Sequence, residues 1–323
     1  MSPQSKALAR TLFKLKVHES NGFEFEHLFG RVMQYSRVNF TKIEPYGNQG
    51  DRGNDGYEKN EGRYFQVFAP KDPHTSKQAA IKKVASDFKD KLLPYWSKFC
   101  EPKEYFFAFN DKYQGTNFPI EKTLAELKKK HSLTVADVYL AKHLEQEFID
   151  LKEDEITMVV SGIPDPNSIS GLDYTVLGEV MRHVQNTAHN IALPGKLIAP
   201  DIDEKIQFNH LKQSGFWLKA KQAETWQIDE YFKRNSDFAK QALRDYLAGY
   251  YADSLIAYPD TIADGGNMGE VRFAAILENL APASGVPVSD KLRRDAALAI
   301  MAKYFETCDI FEDPKNAAAR QAY

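Results

Sequence analysis

The sequence predicts a mixed α/β domain, in which helices flank a central sheet, followed by a mostly α-helical domain. Short aromatic or apolar runs alternate with segments of helical periodicity in the first half of the chain, an order typical of strands joined by crossover helices. A stretch with several prolines and glycines, 161–171, interrupts this alternation. We therefore expect domains at residues 1–152 and 173–323, joined by a linker at 153–172.

The elements of the first domain follow one another in a regular order. An amphipathic helix at 22–33 leads into a glycine-rich loop, 47–56, which is followed by an apolar strand at 63–69. A helix is expected at 76–93, because Val84, Phe88 and Leu92 fall on one helical stripe. The remaining predicted elements are a strand at 104–111, a helix at 119–130, a strand at 133–140 and a helix at 141–151.

The second domain is predicted to consist mainly of helices. Helical spacing of apolar residues predicts them at 174–185, 231–254, 269–279 and 289–305. Tyr246, Tyr250 and Tyr251 on the second of these could stack on nucleobases. Packing of aromatic rings between helices is the stronger interpretation, because buried tyrosines commonly fill such interfaces.

The glycine-rich loop and the strand after it are the most informative part of the sequence. The loop delivers Asp55 onto a hairpin, and Gln66 stands in the middle of the apolar strand beside Val67 and Phe68. A buried strand accepts an amide only where the amide has a partner. Carboxylate and carbonyl oxygens are the ligands that Mg²⁺ prefers, so the pair indicates a cation site. The alternative is an ordinary turn, since Gly and Asx residues also form turns with their own backbone.

Glu26 is a third candidate for the same site. It lies beside the apolar stripe of the helix at 22–33, from which its side chain could lean toward the sheet. A charged residue on the solvated face of a helix is the common alternative.

Together these segments resemble the Mrr-like branch of the PD-(D/E)xK restriction-endonuclease superfamily. The resemblance covers about residues 20–150 and rests on Phe25-Glu26 in the helix, Gly50-Asp51-Arg52-Gly53-Asn54-Asp55-Gly56 in the loop and Phe65-Gln66-Val67 in the strand. It implies a Mg²⁺- or Mn²⁺-dependent deoxyribonuclease with a restriction-endonuclease-like fold. Asp55 and Gln66 would bind the metal, and Glu26 would assist.

The sequence departs from this family at the motif lysine. That lysine should stand two residues after Gln66, where Phe68 is found. The run from Lys83 to Phe88 is similar to one in relatives with the same strand variant, which favours Lys83, or its neighbour Lys82, as a relocated lysine. Lys71, just past the strand, and Lys82 are further candidates for contacts with DNA phosphates. Solvated lysines on an outward helical face are the alternative for each.

Composition agrees with a soluble, cytoplasmic protein. Hydrophobic residues make up 43% of the chain, no apolar run is long enough to span a bilayer, and the start of the chain lacks a signal-peptide core. Cys100 and Cys308 form no metal-binding pattern. Residues 1–150 carry 24 basic and 20 acidic residues, and the remainder carries 18 and 25. A mildly basic first half fits DNA binding, although such a surplus also occurs in proteins that bind no nucleic acid.

The acidic helical half resembles C-terminal domains of ABC-three-component defence systems, chiefly through the segment 304–312. The resemblance implies an effector nuclease of the type found in Lamassu antiphage systems. Its partners would be an SMC-like ATPase and a third, small subunit, and the active form would be a homo-oligomer.

Three functions remain open from the sequence. The first is a metal-dependent DNA endonuclease acting as the effector of a defence complex. The second is a catalytically inactive relative that kept the fold as a DNA-binding or scaffolding subunit after losing a lysine at position 68. The third is a protein-binding adaptor that docks its partner through the acidic helical half.

Overall fold

The chain forms two compact units in its computed structural model. The structure describes residues 1–47, 50–166, 172–187, 201–235, 237–262, 267–307 and 310–314. The sheet unit comprises Lys16–Glu155, and the helical unit comprises Met1–Leu15 together with Ile156–Tyr323. Met1–Leu15 therefore groups with the helices, whereas the sequence placed residues 1–152 in one domain. Of the expected linker at 153–172, residues 167–171 lie outside the described residues, and Glu153–Val160 forms a helix instead of a linker.

A five-stranded sheet with the order β1-β2-β3-β4-β5 forms the centre of the sheet unit. Its strands are β1 (Phe40–Lys42), β2 (Gly56–Glu58), β3 (Arg63–Phe68), β4 (Glu104–Phe109) and β5 (Val135–Leu140). β1, β2 and β3 are antiparallel neighbours, whereas β3, β4 and β5 run parallel. The predicted mixed sheet with flanking helices is confirmed. The glycine-rich loop connects β1 to β2, so it delivers Asp55 directly to the start of β2.

Helices connect and cover these strands. Their bounds are α2 (Phe23–Ser36), α3 (Lys77–Ser86), α4 (Leu93–Trp96), α5 (Phe118–Lys130) and α6 (Ala141–Ile149). Two more helices, α1 (Pro3–Glu19) and α7 (Glu153–Val160), each contain residues of both units. Side chains alternate between the faces of β3. Tyr64, on one face, packs with Val84 and Phe88, while Phe65, on the other, lies 5.7 Å from the ring of Phe29 in α2. Gln66 shares the face of Tyr64.

The helix expected at 76–93 is not one regular helix. Its middle segment, Asp87–Leu92, is π-helical and separates α3 from α4. The fully buried residues Ala80, Val84, Phe88 and Leu92 recur every four positions. In an α-helix of 3.6 residues per turn such a row drifts around the axis, and a wider π-turn keeps its last members against the sheet.

The helical unit is built largely from α8–α14. Their bounds are α8 (Tyr174–Thr187), α9 (Ile202–Phe208), α10 (Gly215–Gln222), α11 (Thr225–Asn235), α12 (Asp237–Ala257), α13 (Gly269–Leu280) and α14 (Pro287–Glu306). The helix expected at 231–254 falls on α11 and α12, whose described residues are 225–235 and 237–257. Tyr246 and Tyr251 on α12 are each only 8% exposed, as helix packing requires.

The remaining sequence expectations concern membrane spans and the two cysteines. Within the described ranges, no helix is both long and apolar enough to cross a lipid bilayer. Cys100 is half-buried and its thiol lies 3.1 Å from the carbonyl oxygen of Lys59. Cys308 lies outside the described residues.

Candidate functional site

The loop before β2 is shaped by its own side chains. Asp51 Oδ1 accepts a hydrogen bond from the backbone N–H of Gly53 at 2.7 Å, and Asn54 Oδ1 accepts one from Gly56 N at 3.1 Å. These are the local turns that Asx residues favour. These turns direct the next acid, Asp55, into the protein, where it is only 4% exposed. An ordinary turn and a cation site are therefore compatible interpretations of this loop.

Asp55 and Gln66 converge inside the sheet unit. The amide Nε2 of Gln66 donates to Asp55 Oδ2 at 2.7 Å, and the backbone N–H of Val67 donates to the same oxygen at 2.6 Å. Gln66 is 1% exposed. The sequence prediction that these two side chains meet agrees with this geometry. Because one strand supplies both donors, the carboxylate is fixed relative to β3.

Two oxygens around this pair have no hydrogen-bond partner. Gln66 Oε1 and Glu26 Oε1 are both buried, and neither meets a donor in the described part of the chain. Buried polar atoms are nearly always paired, because leaving one unpaired forfeits the bond it made with water. Unpaired oxygens beside a buried carboxylate are the atoms that a cation or its bound water would satisfy.

Negative charge accumulates at the same place. Burial, and next the charge of Asp51, hold the pKa of Asp55 well above its usual range, with Glu26 adding to the rise. Burial also raises the pKa of Glu26, although Lys42 opposes it. Each shift means that the ionised carboxylate is disfavoured where it lies. A bound cation would reverse this preference, so the site has an electrostatic reason to take one.

Two lysines form ion pairs with Asp87, the first residue of the π-helical segment. Lys83 Nζ lies 2.8 Å from Asp87 Oδ2, and Lys91 Nζ lies 2.7 Å from Asp87 Oδ1. Burial of Asp87 would raise its pKa, but these two hydrogen bonds outweigh burial and lower it. Asp87 is therefore an ionised anchor that holds both ammonium groups.

Lys91 lies beside the loop that carries the acids, because its Cβ would be 3.2 Å from a Cβ placed on Gly53. The pKa of the Lys91 ammonium is raised first by its bond to Asp87, and the charges of Asp51 and Asp55 raise it further. Its side chain is 54% exposed, against 30% for Lys83. Lys91 therefore combines a charge directed toward the buried acids with access to solvent.

A glycine lets the two parts of the site approach each other. Gly53 has φ of +75°, and a Cβ placed on it would lie 2.8 Å from the carbonyl oxygen of Asp87, 3.2 Å from Lys91 Cβ and 3.3 Å from Gln66 Oε1. A side chain at Gly53 would thus push the π-helical segment away from the loop. The close approach brings Lys91 and Gln66 to the same small space.

The other predicted positions lie elsewhere or are filled. Phe68 stacks on Phe107 and Phe109 at 6.0 Å, so the place of the motif lysine is taken by aromatic packing. Lys82 and Lys71 are both exposed. The carbonyl oxygen of Lys71 accepts from Lys112 Nζ at 3.0 Å.

Sequence reasoning missed Asp51 and Lys91. Asp51 was visible only as part of a turn motif. Lys91 lies four residues after Asp87, as Lys83 lies four residues before it. The place of Lys91 near the site depends on the contact between the π-helical segment and the loop at Gly53, which is distant in sequence. The row of buried residues spaced by four was a signal for the π-turn but not for this contact.

The donor set suits a hard divalent cation. Asp55, Gln66 and Glu26 offer only oxygens, the ligands that Mg²⁺ and Mn²⁺ favour. No group of three or more His, Cys, Asp or Glu side chains within the described ranges is arranged to hold a metal ion. The protein would therefore supply few of the ligands itself, and water or a substrate phosphate would have to supply the others.

Comparison with known proteins places the helical half in a family. Residues 175–312 match the family model for the C-terminal domain 10 of the ABC-three component (ABC-3C) systems. This match covers less than half of the chain and confirms the resemblance inferred for the helical half. No curated protein and no solved structure matches the chain significantly.

Proposed function

We propose that the sheet unit is a Mg²⁺- or Mn²⁺-dependent nuclease that hydrolyses DNA phosphodiester bonds. The observation that carries the proposal is the buried convergence of Asp55 and Gln66, joined at 2.7 Å, with an unpaired oxygen on Gln66. The unpaired Gln66 Oε1 next to a buried carboxylate supports a cation site, because a cation or its bound water would supply the missing partner.

Each residue has a role in this proposal. Asp55 and the Oε1 atom of Gln66 would hold the cation, and Glu26 would contact it through water. A cation at this position would activate a water molecule and offset charge on the phosphate. The chain's own positive charge would come from Lys91, which stabilises the negative charge that develops on the phosphate oxygens. Lys83, the lysine that the sequence favoured, would keep Asp87 in place as the anchor of Lys91.

The helical half supports a role within a larger complex. A domain of ABC-3C systems implies protein partners, and we propose that the chain is the effector subunit of an antiphage defence complex. Its partners would be an SMC-like ATPase and a third, small subunit, and oligomerisation would activate cleavage. The acidic balance of residues 151–323, 18 basic against 25 acidic residues, suits a protein partner better than direct contact with DNA.

Plasmid cleavage tests the proposal. Supercoiled DNA is incubated with the purified chain, alone and with the products of the neighbouring genes, in Mg²⁺, Mn²⁺ or EDTA. We expect nicked or degraded DNA with either cation, none in EDTA, and none with Asp55→Asn. Glu126→Gln is the matched control, because Glu126 is an exposed acid on α5 that is 68% accessible and pairs only loosely with Lys122.

Other outcomes select the alternatives. DNA binding without cleavage under every condition would favour an inactive DNA-binding subunit, as the lysine missing at position 68 suggests. Absence of DNA binding at low salt, where phosphate contacts are strongest, would favour the protein-binding adaptor.

A further inference from the structure

Exposed aromatic and basic side chains lie together beside the candidate site. We call Arg52, Tyr95, Lys98 and Phe99 the cation–aromatic surface. The guanidinium carbon of Arg52 lies 4.0 Å from the centre of the Tyr95 ring, and Lys98 Nζ lies 6.0 Å from the same ring. Phe99 is 78% exposed, and Tyr95 is 42% exposed. Arg52 and Lys98 flank the ring of Tyr95. The more exposed ring of Phe99, next to Lys98 in the chain, lies 6.3 Å from the ring of Trp96. Single exposed rings are ordinary on protein surfaces, but rings with two cations beside them present a stacking face and positive charge together.

This surface is fixed to the loop that carries the acids. The indole N–H of Trp96 donates to the backbone oxygen of Asp51 at 3.1 Å, and the Trp96 ring packs on Tyr57 at 5.3 Å. Trp96 thereby holds its neighbour Tyr95 beside Arg52, which directly follows Asp51. Arg52 itself has φ of +58°, a backbone conformation that is costly for a residue with a side chain. Such strain is retained where the position of the side chain matters.

The guanidinium group of Arg52 is held in place by its surroundings. Its plane rests against Tyr95 and its Nε atom is buried, so the terminal nitrogens are the atoms that could reach a ligand. Guanidinium groups held in this way bind phosphate oxygens well, because their donors are already oriented.

We propose that the cation–aromatic surface binds an unpaired nucleic-acid strand, with a base stacked on Phe99 and phosphates held by Arg52 and Lys98. This inference rests on the proposed nuclease function and specifies its substrate as single-stranded or locally opened nucleic acid. An exposed ring flanked by cations is the combination that single-strand-binding proteins use, because every base has a face that stacks and every nucleotide carries a phosphate. In a duplex the base faces are covered by stacking, so Phe99 would have no partner there.

Fluorescence anisotropy in EDTA tests this proposal without cleavage. The probes are a labelled 20-nucleotide DNA of mixed sequence, the same DNA annealed to its complement, and the RNA of identical sequence, each titrated with the full chain from low to moderate salt. We expect single strands to bind more tightly than the duplex. Similar affinity for DNA and RNA strands would place recognition on bases and phosphates, whereas a preference for one would reveal contacts to the sugar.

Two variants separate stacking from charge. Phe99→Ala should weaken single-strand binding about tenfold or more with an unchanged salt dependence, since stacking on one aromatic ring is worth about that much. Arg52→Ala should weaken binding and also lower the slope of log K against log salt by about 0.7, the value expected for one lost phosphate contact. Phe118→Ala is the matched control, because Phe118 is 77% exposed at the start of α5 and should change neither quantity.

The outcomes distinguish this inference from the nuclease proposal. Plasmid cleavage by the wild-type chain, combined with unchanged single-strand affinity of Phe99→Ala, would overturn the inference and leave the nuclease intact. Loss of single-strand binding in Phe99→Ala, without any cleavage by the wild type, would support single-strand binding by the cation–aromatic surface and contradict the proposed nuclease activity. Equal binding of duplex and single strand would also overturn the inference.

Discussion

Replacement of Asp55 by asparagine isolates the charge of the site from its hydrogen bonds. Gln66 Nε2 and Val67 N both donate to Asp55 Oδ2, at 2.7 and 2.6 Å. A buried donor left without an acceptor costs about 1–3 kcal/mol, so Asp55→Ala should lose about 2–6 kcal/mol from these bonds. Asparagine keeps an oxygen for both donors, so its effects report the lost negative charge.

The sign of the stability change follows from the pKa of Asp55. Burial, and next the charge of Asp51, raise this pKa in the folded protein. The folded chain then binds more protons than the unfolded chain, so without a divalent cation the free energy of unfolding falls as pH rises from about 4 through the folded pKa. The amide introduced by Asp55→Asn does not titrate in this range. In EDTA at pH 8, the variant should therefore be more stable than the wild type, and this advantage should shrink toward pH 4.

A divalent cation should reverse the ranking. At ten times its dissociation constant, a ligand bound only by the folded state adds about 1.4 kcal/mol. For a unit of this size that raises the melting temperature by about 3–6 °C. We expect this rise for the wild type in Mg²⁺ or Mn²⁺ at pH 8, a smaller rise at pH 5, where the cation competes with protons, and none for Asp55→Asn.

Thermal unfolding by circular dichroism and plasmid cleavage are the paired assays. The variant should lose at least about 100-fold in cleavage rate, the typical effect of removing one electrostatic contact to a reacting group. Glu126→Gln should match the wild type in both assays. If Asp55→Asn kept the cation-dependent rise in melting temperature, Asp55 would not be a ligand. If it were less stable than the wild type in EDTA at pH 8, the electrostatic argument would be wrong.

Three further substitutions probe the surroundings of Asp55. Gln66→Glu adds a second negative charge and should tighten Mn²⁺ binding, as measured by calorimetry; an unchanged affinity would remove Gln66 from the ligands. Lys91→Met should lower the cleavage rate about 100-fold, and Lys83→Met should lower it less. Circular dichroism checks that both variants fold. A larger loss of cleavage in Lys83→Met would assign the catalytic role to Lys83. Gly53→Ala should lower the free energy of unfolding by about 1–3 kcal/mol more than Gly50→Ala in urea titrations. Both glycines have positive φ, but a Cβ on Gly50 meets open space, and equal losses would mean that the contact is not tight.

Sequence patterns were sufficient for three strands of the sheet and for the central pair. β3, β4 and β5 are short, apolar and separated by helices, so periodicity predicted them, whereas β1, with three residues, is too short to show a pattern and was not predicted. Asp55 and Gln66 were predictable as neighbours because the hairpin between them is short and the amide stood in a buried strand. Both features are local in sequence, which is where such patterns are most informative.

The charges around Asp55 and Gln66 could not be predicted from the sequence, and the reason is physical. Asp51 bonds its own loop at Gly53 N, as an ordinary turn residue does, and its effect on Asp55 acts through space. Lys91 pairs with Asp87 four residues earlier, within the π-helical segment Asp87–Leu92, and reaches the site because the loop at Gly53 packs against this segment. A π-turn inserts a residue relative to the regular helix, and no single residue type predicts where such a turn occurs.

These charges also couple the lysine to the cation. In the free protein Lys91 is held by the ionised Asp87, and whatever negative charge Asp51 and Asp55 carry adds to this attraction. A divalent cation bound by Asp55 would cancel part of that attraction and repel the ammonium group, so Lys91 would be released toward solvent, where a phosphate approaches. With a neutral Gln66 the cation meets less negative charge than a pair of acids would supply, and its binding in the free protein stays weak. Under the proposed function the phosphate would contribute twice, as a ligand to the cation and as a partner for Lys91, so that both elements of the site would assemble only with nucleic acid bound.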